Sequence, residues 1–253
     1  PTATGANAAN GGLVYLGVSG DGDSLSIGLG HLCHAIRRNV DMLYVIENNG
    51  VYGLTKGQFS ASADVGTRSK RGEENRQPPI DPALLALTLG ATFVARSFSG
   101  DKAQLIPILK AGLRHRGFAL VDVVSPCVAF NDHDGSTKSY AYTREHSAPV
   151  VLADFVPPAK EITVAYAEGS TESVVLHDAS VVRFGKVAAG YDPTDRQGVQ
   201  NYLREMGLSG EVVTGLLYVE PDAPDLHAGL GTVDRPLVDL PFEELCPGEA
   251  AMV

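Results

Sequence analysis

A doubly wound, mostly parallel α/β sheet with an irregular C-terminal extension is the fold class this sequence predicts. Three observations lead there. Short apolar runs alternate with stretches of helical periodicity through residue 126, and Gly, Pro or Asn punctuates the boundaries. Helix-length segments join the runs, and a crossover of that length implies parallel strands. A hydrophobic content of 44% in 253 residues is enough for one sizeable core.

The elements follow in order. "LVYLGVSG" (13–20) is a short apolar run ending in glycine and reads as a buried strand. "SIGLGHLCHAIRRN" (26–39) has apolar residues at helical spacing and arginines in its last turn, with Ser24 or Ser26 as its cap. "DMLYVIENNG" (41–50) is a second buried strand ended by a polar turn, which completes a β-α-β unit. Residues 60–79 are polar, charged and aperiodic; a solvated loop and a mobile lid or subunit contact are the two readings. "DPALLALTLG" (81–90) is a helix with Asp at its start, Pro at its first position and Gly after its end. A strand (92–98), a helix (101–116) and another strand (118–126) follow. The domain so defined spans 1–147. Residues 148–253 read as an extension on the same core or on a partner: an arm, a hairpin turning at "EGST", a helix at 192–207 and one more strand.

Composition excludes several functions. A formal charge of −10 argues against nucleic acid or an anionic membrane surface, both of which need positive patches. No apolar run approaches the roughly 18 residues of a membrane span. Three widely spaced cysteines do not make a disulfide framework, so a reducing cytoplasm is expected. The chain opens at Pro1 without an initiator Met, and residues before it are expected.

The chemistry concentrates in "GDGDSLSIG" (20–28), a glycine-rich strand-to-helix turn of the kind that cradles phosphate, yet carrying two aspartates that repel one. A dinucleotide fingerprint fails because Leu25 stands where the third glycine belongs. A calcium loop starting at Asp21 fails because Leu25 and Leu32 occupy ligand positions. A divalent cation between carboxylate and diphosphate removes the conflict. Mg²⁺ takes one or two carboxylate oxygens and completes its octahedron with phosphate, amide, carbonyl and water. The remaining donors are expected at the carboxyl end of the neighbouring strand, "ENNGVYG" (47–53).

Gly20-Asp21-Gly22, a spacer of 25 residues and Asn48-Asn49 resemble the thiamine-diphosphate signature. Together with "NNGVYGLTKGQFS", "SPCVAFNDH", "YDPTDR" and "TGLLYVEPDAPD", they make the chain similar to β subunits of 2-oxoacid:ferredoxin oxidoreductases, particularly the 2-oxoglutarate type. The resemblance implies a thiamine-diphosphate-binding fold in which Asp21, Asn49 and the Val51 carbonyl hold Mg²⁺. It places Gly20, Gly22, Asp23, Gly53, Leu54 and Thr55 around the cofactor, with Gln58 nearby. Decarboxylation of a 2-oxoacid would follow, with the acyl group passing to coenzyme A and electrons passing through a [4Fe–4S] cluster to ferredoxin. The activating glutamate and half the cleft would come from an α subunit, in an assembly of two α and two β chains. Family members usually begin earlier, with a W-C-x-G-C-G segment and a further cysteine. That segment is not among these residues, which leaves Cys127 as the one cluster ligand in hand.

Other residues keep two readings. Lys56 is a solvated lysine or a contact for the substrate carboxylate. Asp23 bonds turn amides or supports the metal from behind. His31 and His34 lie one helical turn apart, where core or interface packing outweighs metal binding. Cys246 reads as an exposed thiol. Two alternatives stand beside the main one: a pyruvate-type oxidoreductase or other thiamine-diphosphate decarboxylase, and a metal-binding structural subunit.

Overall fold

A computed structural model describes residues 1–55, 57–67, 72–125, 138, 191–210, 212–246 and 248, with the backbone alone for 147–149, 171–175 and 181–185. Helix α1 (Thr2–Ala9) precedes strand β1 (Leu16–Gly20), a π-helical turn (Asp23–Ile27), helix α2 (Leu29–Arg37) and strand β2 (Met42–Asn48). A small hairpin, β3 (Val51–Tyr52) with β4 (Gln58–Phe59), opens the polar segment. Then come α3 (Pro82–Leu89), β5 (Phe93–Phe98), α4 (Lys102–Arg114) and β6 (Phe118–Val124). Strands β7 (Ser147–Pro149), β8 (Thr171–Val175) and β9 (Val181–Gly185), helix α5 (Arg196–Leu208) and strand β10 (Val212–Val219) follow.

Among the described residues, six strands form one sheet in the order β1-β2-β6-β5-β10-β7. The first four are mutually parallel and β10 runs antiparallel to β5, so the predicted mostly parallel α/β class is borne out. The β1-to-β2 and β5-to-β6 crossovers step in opposite directions along the sheet. Right-handed connections therefore send α2 to one face and α4 to the other. The side chains alternate to match. Phe118 and Leu120 of β6 pack with Leu32 and Ile36 of α2, while Ala119 and Val121 pack with Ile108 and Ala111 of α4. Helix α5 joins the first face through Val199 and Leu203.

Local chemistry sets the element ends. Asp81 Oδ1 accepts the amides of Ala83 (2.8 Å) and Leu84 (3.0 Å), Pro82 takes the first helical position, and Gly90 closes α3 with φ of 91°. Neither Ser24 nor Ser26 caps α2, because the chain first makes the π-helical turn. Ser24 Oγ meets the Tyr44 hydroxyl at 3.1 Å, and Ser26 Oγ accepts the Ala61 amide at 3.3 Å. Strand β8 pairs antiparallel with β9, Val174 and Val175 opposite Val182 and Val181; the hairpin expected to turn at "EGST" lies largely outside the described residues. Among the described residues no helix is long and apolar enough to cross a membrane.

One buried histidine gives this fold a pH signature. His115 Nε2 lies 2.8 Å from Thr92 Oγ1 and the ring packs on Phe93. Burial pulls its pKa from 6.5 down to about 4, against the opposing charge of Glu220. The folded-state value is depressed, so the unfolded chain binds the proton first and stability falls as pH drops from 6.5 toward 4. About 3 kcal/mol is expected to be lost over that window, and His115→Gln is expected to flatten this part of the profile in urea unfolding.

Candidate functional site

Asp21 follows the last residue of β1, where Gly20 is aligned with Glu47 of β2, and it is fully buried. Its carboxylate is bound unequally. Oδ2 accepts the Gly50 amide at 3.0 Å, the Ser62 hydroxyl at 2.5 Å and the Ser60 hydroxyl. Oδ1 receives a long contact, 3.5 Å, from the Asn49 amide. Gly50 adopts φ of 76°, a left-handed conformation that glycine takes at little cost and that folds these amides back over the carboxylate. In the same turn, Asn49 Oδ1 accepts the Val51 amide at 3.0 Å. Asp21 is thus brought, from a distant part of the sequence, to the turn that carries Asn49 and Val51.

The donor set fits Mg²⁺. It offers a carboxylate oxygen, an amide oxygen and a main-chain carbonyl, all hard oxygens, with the remaining positions left to phosphate and water. Among the described residues no group of three His, Cys, Asp or Glu side chains is placed to hold a metal. Gly22 has a reason of its own: a Cβ there would stand 2.4 Å from the Tyr52 ring, whose hydroxyl donates to the Gly22 carbonyl at 2.9 Å.

Behind Asp21 runs a buried polar relay. Ser62 Oγ reaches Asn48 Oδ1 at 2.8 Å, and Asn48 Nδ2 donates to Asp122 Oδ1 at 3.0 Å. Asp122 Oδ2 receives Arg96 Nε at 2.7 Å, and Arg96 Nη2 donates to Asp81 Oδ1 at 2.7 Å. Burial pushes the Asp122 carboxyl above the usual range despite the Arg96 charge. For Asp81 burial also pushes upward, but Arg96 and the α3 amides together hold its carboxyl below the usual range. The relay lines a cavity of about 220 Å³ over the carboxyl ends of β2, β6 and β5. There the outgoing connections part to opposite faces, the crevice where open α/β sheets bind ligands. Lys138 Nζ and Asp64 Oδ1 pair across its rim at 3.1 Å.

The remaining sequence-predicted residues are dispersed. Asp23 opens the π-helical turn with an exposed side chain, its carbonyl accepting the Gly28 amide at 2.7 Å. Gly53, Leu54 and Thr55 form the tip of the β3–β4 hairpin, with Leu54 wholly exposed and Thr55 Oγ1 bonded to Gln58 Oε1 at 2.5 Å. Lys56 and Cys127 lie outside the described residues. His31 and His34 are exposed rather than in the core, because α2 buries Leu32, Ala35 and Ile36 and turns the histidines outward. Cys33 is half-buried and Cys246 is exposed. The solvated reading of 60–79 fails at its start, where Ser60 and Ser62 are buried against Asp21. It also fails at Asn75, whose side chain bonds the carbonyls of Ala63, Asp64 and Gln77. Arg96 and Asp122 escaped the sequence reading, although each is a lone charge in an otherwise apolar strand.

Residues 1–123 match the family model described as the C-terminal TPP-binding domain of thiamine pyrophosphate enzymes. The chain is 44% identical over 131 residues to a 2-oxoacid:ferredoxin oxidoreductase subunit beta of Saccharolobus solfataricus, covering 51% of this chain and 43% of that one. It is 38% identical over 177 residues to a 2-oxoglutarate oxidoreductase subunit, KorB, of Mycobacterium tuberculosis, covering 65% and 48%. Among solved structures it resembles a chain of a 2-oxoglutarate:ferredoxin oxidoreductase from Magnetococcus marinus, with a TM-score of 0.68 at 30% identity over 91% of this chain and 64% of that one. That enzyme was solved with 2-oxoglutarate, coenzyme A and succinyl-CoA bound. The chain spans about half the length of the curated relatives it matches.

Proposed function

We propose that this chain, a relative of the β subunits of 2-oxoacid:ferredoxin oxidoreductases, is the thiamine-diphosphate-binding subunit of such an enzyme, with 2-oxoglutarate as its substrate. The observation that carries the reading is the buried Asp21 carboxylate clasped to the Asn49–Val51 turn at the carboxyl edge of a parallel sheet. Asp21 Oδ1, Asn49 Oδ1 and the Val51 carbonyl would hold Mg²⁺, and the metal would in turn hold the diphosphate. Bound thiamine diphosphate supplies the electron sink for loss of CO₂ from a 2-oxoacid.

The protein's share is placement. Asp21 contributes the negative charge that Mg²⁺ needs, in a site where burial keeps water from competing for it. The hairpin tip at Gly53–Thr55 offers the exposed Leu54 to a partner subunit, and Lys56 is proposed as a contact for the substrate carboxylate. Completion of the cleft falls to an α subunit, which would bring the activating glutamate to an assembly of two α and two β chains. Cys127 is proposed as one ligand of a [4Fe–4S] cluster that passes electrons to ferredoxin, with coenzyme A taking the acyl group in the cytoplasm.

The test uses the complex with its α partner. Thiamine diphosphate is expected to remain bound after dialysis against Mg²⁺ and to be lost after dialysis against EDTA. The purified chain alone is expected to release no CO₂ from 2-oxoglutarate. Retention that ignores EDTA removes the metal bridge, turnover by the isolated chain removes the shared cleft, and faster turnover of pyruvate moves the substrate assignment.

A further inference from the structure

We infer that Ser60 and Ser62 set the metal preference of this site by occupying one oxygen of Asp21, so that the carboxylate meets its cation through the other oxygen alone. The inference rests on the proposal that Asp21 faces a metal–diphosphate pair. It starts from the asymmetry of the carboxylate. Oδ2 takes three donors: the Gly50 amide, the Ser62 hydroxyl and the Ser60 hydroxyl. A carboxylate oxygen offers about two lone-pair sites, so Oδ2 has nothing left for a cation, whereas Oδ1 with its 3.5 Å contact keeps its capacity.

The serines cannot easily turn away. Both are buried, and the Ser60 backbone amide donates a hydrogen bond to the Gly50 carbonyl at 3.1 Å. Ser60 Oγ accepts the Ser62 amide at 3.3 Å. Ser62 Oγ also reaches Asn48 Oδ1, whose amide nitrogen is engaged by Asp122, and Arg96 anchors Asp122. Ser62 has one hydroxyl proton to share between Asn48 and Asp21, and the charged acceptor holds it more strongly. Two hydroxyls held rigidly against one oxygen make Asp21 a one-oxygen donor.

Cation size then decides selectivity. Mg²⁺ demands a near-ideal octahedron, which single-oxygen donors satisfy; Ca²⁺ takes more oxygens and accepts both oxygens of one carboxylate. A clamp on Oδ2 therefore favours Mg²⁺. Ser60 and Ser62 act through Asp21 and are positioning residues.

The experiment measures thiamine-diphosphate binding to the assembled complex by calorimetry, with Mg²⁺ or Ca²⁺ as the only divalent ion. The double substitution Ser60→Ala/Ser62→Ala, which leaves Oδ2 the Gly50 amide alone, is expected to raise the Ca²⁺-to-Mg²⁺ affinity ratio about ten-fold, and either single substitution, which leaves two donors there, to move it less in the same direction. Ser62→Cys, which keeps the volume and a weak donor, is expected to fall between wild type and Ser62→Ala and serves if the alanine variants do not fold. With Mn²⁺ as the probe, the double variant is expected to alter the electron paramagnetic spectrum of the bound ion, which a loss of packing alone would not do. An unchanged ratio in the folded variants, with wild type binding normally, overturns the clamp. A wild-type complex that binds no cofactor with either ion overturns the functional reading instead.

Discussion

Replacing Asp21 by alanine is expected to raise the dissociation constant of thiamine diphosphate at saturating Mg²⁺ by about 100-fold or more. Of the three protein oxygens proposed for the metal, only Asp21 carries charge, and an octahedral cation held by two neutral donors grips a diphosphate poorly. The substitution also strands the Gly50 amide, which ends on Oδ2, while Ser62 Oγ keeps Asn48 Oδ1 and Ser60 Oγ keeps Ser62 Oγ as acceptors. Each buried donor left without an acceptor costs about 1–3 kcal/mol, so the Asn49–Val51 turn that carries the other two donors loses its anchor as well. Asn49→Ala is expected to cost less, about ten-fold, since water can replace a neutral ligand. Calorimetry on the complex reads both, with circular dichroism to verify folding. Wild-type affinity in folded Asp21→Ala would remove Asp21 from the metal site.

What the sequence made legible and what it hid differ in physical kind. The β1-α2-β2 unit could be read because strand and helix periodicities there are unbroken and turn residues mark the boundaries. The pairing of Asp21 with the Asn48–Asn49 strand end could be read because both residues lie next to apolar runs that predict parallel neighbours. Ser60 and Ser62 could not be found this way. Two serines in a polar stretch carry no periodic signal, and only the fold of the β3–β4 hairpin returns them to Asp21. Helix α1 was hidden for a similar reason: "TATGANAA" has little apolar patterning, and it is tied down by Asn7 and by the Tyr15 hydroxyl. The antiparallel entry of β10 beside β5 depends on long-range packing rather than on any local pattern. Arg96 and Asp122 left a trace, one opposite charge in each of two apolar strands. The trace becomes a contact once the register aligns the two residues.

That contact carries the largest stability prediction. Arg96→Met is expected to destabilise the chain by about 3–5 kcal/mol near neutral pH, because it leaves two carboxylates facing each other across the β5–β6 end with no cation between them. Asp122 is almost wholly buried, so solvation replaces little of what the guanidinium supplies. The pH dependence identifies the cause. In wild type, Arg96 helps hold the Asp81 carboxyl below the usual range, so that contribution is present above the unfolded pKa and is lost as pH falls through the lower folded value. Without Arg96 the Asp122 carboxyl, which burial already pushes above the usual range, loses the charge that opposes that rise, and its protonation then relieves the repulsion. The deficit of the variant is therefore expected to be greatest at about pH 7 and to shrink toward about pH 4.5 in urea unfolding. Adding Asp122→Leu to Arg96→Met removes the buried charge and is expected to recover at least half of the loss, since well-packed apolar residues often replace a buried ion pair at little cost. A deficit that is constant across this pH range would mean that Arg96 stabilises through packing of its stem, with the charges contributing nothing.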